Sequence, residues 1–138
     1  MEFEFILDKE YEIDLEALSG EFKIIGDDKN IIQESIVYID DWLIGIIEGF
    51  SKIDKTKDNE RINIDLITEP DLLGFKKVGD SLQMFYKNES LLINSYDEAK
   101  SKLKKMILLL FDEFSQIPNW RQDPNLEPIL NFIKLKVV

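Results

Sequence analysis

Carboxylates are the side chains best placed, by number and spacing, to do chemistry in this chain. Asp and Glu together number 28 in 138 residues, while histidine and cysteine are both absent. Four acidic pairs stand side by side: Asp27-Asp28, Asp40-Asp41, Asp97-Glu98 and Asp112-Glu113. Two carboxyls held close together can act as general acid and general base, as in glycoside hydrolysis. Neighbours in sequence, however, point in different directions on a helix or strand, so adjacent acids do not by themselves make a shared site. Histidine is the side chain that titrates near neutrality, and cysteine is the readiest nucleophile. Without either, serine–histidine and cysteine–histidine triads and soft-ligand zinc sites cannot be assembled. The expectation is a chain that binds rather than catalyses, with no catalytic residues and no cofactor.

Metal and phosphate chemistry are equally poorly served. The stretch Asp54-Lys55-Thr56-Lys57-Asp58-Asn59-Glu60 has oxygen-bearing residues at the first, third and fifth positions of a calcium loop, with Asp65 at the twelfth. Asn59 stands where the sharp turn wants glycine, Ile62 occupies the ninth position, and two lysines oppose a dication. No metal site is expected there, and no glycine-rich phosphate loop occurs. Lys100, Lys102, Lys104 and Lys105 alternate with apolar residues and follow two acids, the pattern of a solvated helix face. The formal charge of -11 opposes contact with a nucleic-acid backbone. It favours a basic protein partner, whose encounter it would steer, although acidity also serves solubility alone. Loops on a rigid scaffold are favoured recognition sites. Asp27 and Asp28 in one polar loop, with Asp54, Asp58 and Glu60 in another, are therefore the candidate partner-binding residues, solvated turns being the alternative. Trp120, within Pro118-Asn119-Trp120-Arg121-Gln122-Asp123, either joins them as an interface aromatic or caps the core. Trp42 reads as core.

The elements that must position these residues follow from hydrophobic periodicity. Phe3, Phe5 and Leu7, then Tyr11, Ile13 and Leu15, alternate with other residues at period two and predict strands. Ser19-Gly20 is expected to interrupt the sheet before a short strand over Phe22-Lys23-Ile24-Ile25, and Gly26 to Asn30 to form a loop. From Ser35 to Ile53 the apolar residues Ile36, Ile39, Leu43, Ile46, Ile47 and Phe50 recur at steps of three and four, which favours one helix. The competing parse makes Ser35 to Ile39 a strand and starts the helix at Asp40. Gly45 and Gly49 weaken that helix, and their spacing suggests the close approach of another backbone. Asp54 to Arg61 is a charged linker. Strands are then expected around Ile62-Ile64-Leu66, Leu73-Phe75-Lys77, Leu82 to Tyr86 and Leu91 to Asn94, with Gly79-Asp80 and Lys87 to Ser90 as turns. Ser95 and Glu98 match a capping box opening a helix to Phe114, which Pro118 ends. A shorter helix is expected over Pro124 to Leu135.

The resulting expectation is a single α+β domain over residues 1–138, an antiparallel meander with two to three helices packed on one face. No basic leader and no apolar run near the ~20 residues of a membrane span is seen, so a cytoplasmic protein away from membranes is expected. The stretch Tyr38-Ile39-Asp40-Asp41-Trp42-Leu43-Ile44-Gly45-Ile46-Ile47-Glu48-Gly49-Phe50, with early strands, a central meander and a long late helix, resembles small acidic bacterial immunity proteins. These are the inhibitors of polymorphic and contact-dependent toxins. The resemblance implies one-to-one binding of a cognate protein toxin, commonly a basic nuclease, whose active site is occluded or distorted. The alternatives are a regulatory domain acting as a homodimer through an exposed sheet edge and a carboxylate-lined binder of small molecules.

Overall fold

The computed structural model describes residues 1–7, 19–66 and 69–114. The element order is β1 (Glu2–Leu7), β2 (Ser19–Ile25), β3 (Ile31–Tyr38), α1 (Ile39–Ile53), β4 (Arg61–Asp65), β5 (Leu72–Val78), β6 (Ser81–Tyr86), β7 (Glu89–Ile93) and α2 (Tyr96–Phe114). The α+β class is as expected, but the strands divide into two antiparallel sheets of sequential order, β1-β2-β3 and β4-β5-β6-β7. The expected strand around Tyr11 to Leu15, the final helix from Pro124 and Trp120 lie outside the described residues.

Two expectations about the first half need correction. Ser19-Gly20 opens β2 rather than interrupting the sheet. The single helix from Ser35 is not formed: Ile31–Tyr38 is a strand paired with β2, and α1 begins at Ile39. The reason is a bulge. Gly20 pairs with Val37 and Phe22 with Glu34, so Ser35 and Ile36 together oppose Glu21. One extra residue shifts the alternation and mimics the three-residue step of a helix. Asp41 then falls in the first turn of α1, where the helix dipole favours negative charge.

α1 lies across both sheets and supplies Trp42, Leu43, Ile46, Phe50 and Ile53 to a continuous core. Its glycines are packing sites for side chains, not for the backbone that their spacing suggested. A Cβ on Gly45 would stand 2.6 Å from Leu66 Cδ2, and one on Gly49 would penetrate the Phe75 ring. Trp42 is core as expected, stacked on Phe22 at 4.3 Å and edge-on to Tyr86 at 4.8 Å. Its indole Nε1 is buried without a partner. α2 contributes Ala99, Leu103, Met106, Ile107 and Leu110 to the same core. It is tied to β1 by Lys102, whose Nζ lies 2.6 Å from the Met1 carbonyl and 3.0 Å from Glu2. No described helix is long and apolar enough to cross a membrane.

Candidate functional site

The β7–α2 connection, Asn94-Ser95-Tyr96, is the point around which both predicted loops gather. Ser95 follows the end of β7 by two residues and caps α2: its Oγ accepts the Glu98 N–H at 3.2 Å. That is the hydroxyl half of the predicted box, while the Glu98 carboxylate reaches forward to Lys102 at 3.3 Å. The Tyr96 N–H donates to the Asp80 carbonyl at 2.7 Å, locking the helix start against the β5–β6 hairpin. Gly79-Asp80 forms that two-residue hairpin as predicted, with φ +59° at Gly79. The next turn is tighter than expected: Lys87-Asn88 alone joins Tyr86 to its partner Glu89, with φ +53° at Lys87.

The first loop, 26–30, seals the outer edge of β7. The Asp27 N–H donates to the Leu92 carbonyl at 2.8 Å, the Leu92 N–H donates to Asp28 Oδ2 at 3.2 Å, and the Asn94 N–H donates to Asp27 Oδ2 at 2.7 Å. Two carboxylates thus replace the strand that would otherwise pair there. Asp27 also receives the Met1 ammonium at 2.8 Å. The Asn94 N–H bond first, and then that ammonium, hold its pKa below the ordinary aspartate value.

The second loop, 54–60, wraps the other side of the same corner. The Tyr96 hydroxyl lies 2.9 Å from both the Phe50 carbonyl and Asp54 Oδ1, and Lys100 pairs with Asp54 at 3.1 Å. Burial first, then the bond to Asp54, pushes the Tyr96 phenol well above its usual pKa. Lys100 and Lys77 sit over the Tyr96 ring at 4.4 and 5.2 Å. The Asp58 carboxylate accepts the Gly79 N–H, with its oxygens at 3.1 and 3.0 Å, and the Asn59 N–H donates to the Lys77 carbonyl at 2.9 Å. Glu60 is exposed at the end of the loop.

Of the five predicted loop acids, then, four are acceptors that build the corner and Glu60 projects from it. Between the two loops lies an open cleft of about 350 Å³, lined by Lys77, Asp80, Asn94, Ser95, Tyr96 and Asp97. Asp80 and Asp97 are exposed acids of this cleft that the sequence reading did not select as contacts. The signal for them was the turn and helix start already recognised, whose side chains project outward once the backbone is fixed. The chemistry available is recognition of cationic groups by exposed carboxylates on a rigid frame. Among the described residues no group of three or more acids is arranged to hold a metal ion. A second missed feature lies on the outer face of the second sheet. Arg61 lies across Gly74 onto the Phe85 ring at 4.3 Å, with its Nε donating to Asn63 Oδ1 at 3.1 Å. Compared with protein-family models, curated proteins and solved structures, the chain matches none.

Proposed function

We propose that this chain is a non-enzymatic binding protein of the immunity type, which holds a basic protein toxin in the cytoplasm and neutralises it by occluding or distorting its active site. The observation that carries the reading is the β7–α2 corner. Exposed Asp28, Asp58, Glu60, Asp80, Asp97 and Glu98 surround it, on loops that hydrogen bonds tie to the sheet and helix. Lys29, Lys55 and Lys57 intersperse them, so the field is patterned rather than uniform. Acids fixed in this way recognise a cationic surface without the ordering cost of a mobile loop. The overall charge of -11 supports the same reading, by drawing a basic partner to the surface. Co-expression tests it. The product of the gene immediately upstream should arrest growth alone and should not when this chain is co-expressed. An arrest that persists despite soluble expression of both proteins, or an upstream product that is harmless, rejects the immunity reading.

A further inference from the structure

We infer that β4 is the contact strand of a symmetric dimer, in which two copies pair β4 with β4 antiparallel about Asn63 and join their four-stranded sheets into one of eight. The second sheet has two edges. That of β7 is sealed by Asp27 and Asp28, whereas β4 has a strand neighbour on one side only among the described residues.

The direction of the β4 backbone groups can be read from its partner. The Lys77 carbonyl accepts the Asn59 N–H, so Lys77 faces β4. Alternate residues of a strand share a direction, so Phe75 and Leu73 face β4 as well. Their register partners are Ile62 and Ile64. The N–H and C=O groups of Arg61, Asn63 and Asp65 are consequently directed to the other side, and all three residues are exposed.

The sequence of the strand, Arg61-Ile62-Asn63-Ile64-Asp65, is complementary to itself. Antiparallel pairing about Asn63 sets Arg61 opposite Asp65 of the second copy and Asp65 opposite its Arg61. Asn63 then meets Asn63, and Ile62 meets Ile64. Both charge pairs are attractive on one face of the new ladder, and the isoleucines continue the apolar face, where Ile62 is only half-buried in the single chain. In the single chain Arg61 turns back across Gly74 onto Phe85, away from the free edge, and spends its Nε on Asn63; pairing exchanges the Phe85 stack for the carboxylate of the second copy. A two-fold axis requires this self-complementarity, and a shift of register by one residue would destroy it.

Sedimentation of the full chain over a concentration series, together with amide exchange, tests the pairing. Dimer formation should slow exchange at Arg61, Asn63 and Asp65, while Ile62 and Ile64 are protected at every concentration. Arg61→Asp should weaken dimerisation about tenfold by setting acid against acid in both pairs. Adding Asp65→Arg should bring it back to within a few-fold of the parent, although both variants lack the Phe85 stack. Asn63→Pro removes an N–H that β5 does not use, and should give a folded monomer by circular dichroism and sedimentation. A chain still monomeric at about 1 mM, a dimer whose exchange leaves Arg61, Asn63 and Asp65 unprotected, or equal weakening by the single and the double charge variants overturns the inference.

Discussion

Asp27 shows how much one side chain can carry when donors converge on it. Its two oxygens receive the Asn94 N–H and the Met1 ammonium, and it is about one-quarter exposed at 26%. Its pKa is lowered in the fold, by the Asn94 bond first. The stabilisation is therefore complete above the unfolded carboxyl value near ~3.9 and is lost as the pH falls through the lower folded value. Asp27→Asn should cost about 1 kcal/mol at neutral pH, the difference between a charge-assisted and a neutral hydrogen bond. It should also remove part of the acid-dependent loss, so that the parent and variant stabilities converge at the acid end. Urea unfolding from pH 2 to pH 7 measures both. A gap between the two proteins that stays constant across this range would mean that the carboxylate is not differentially ionised by folding. The same residue explains why its role was only half legible in the sequence. An acid in a Gly-Asp-Asp loop announces a turn, but nothing in the spacing tells that the turn folds against a strand some 65 residues later.

At the level of elements, the packing of α1 is the most exposed to a single change. Gly49→Ala adds a methyl where Phe75 lies, and Phe75 is fully buried and edge-on to Phe50 at 6.0 Å, with no solvent side to move into. Helix propensity would reward the alanine by about 0.5–1 kcal/mol, whereas overpacking typically costs 1–3 kcal/mol. The net expectation is destabilisation, read as a lower denaturant midpoint; a midpoint equal to or above the parent's would refute the packing account. At the start of α2, Ser95→Ala removes the oxygen bonded to the Glu98 N–H and should cost about 0.5–2 kcal/mol. An unchanged midpoint would mean that solvent caps the helix equally well. Both glycines were visible in the sequence, yet what they face was not, because Leu66, just past β4, and Phe75, on β5, arrive from beyond the linker. Local signals served well where an element closes on itself, as at Gly79-Asp80 and at Ser95. They failed at Ser35 to Tyr38, where pairing with β2 and a bulge outweighed a helical spacing.

Across the whole molecule, the acidic surplus is used in two ways. Part of it, Asp27, Asp28, Asp54 and Asp58, accepts the hydrogen bonds that dock the loops, Asp28, Asp54 and Asp58 while still exposed. The remainder faces solvent and supplies the field that a basic partner would feel. A recognition test that neutralises all the loop acids would therefore confuse binding with folding. Glu60→Gln, Asp80→Asn and Asp97→Asn change the exposed charges instead. Asp80 holds α2 through its backbone carbonyl, which the substitution keeps, and Asp97 contributes only its first-turn charge, worth a few tenths of a kcal/mol to the helix. The triple variant should unfold close to the parent's midpoint. Its association with the proposed basic partner should be several-fold slower at low salt, with the dissociation rate nearly unchanged, because exposed charges act mainly on encounter. The difference should shrink as ionic strength rises, since screening reaches about 8 Å at physiological salt. Surface plasmon resonance at two salt concentrations measures the rates. Association at the parent's rate in both buffers would remove the β7–α2 corner as the contact surface, whereas slower association that salt does not relieve would replace steering with a direct short-range contact.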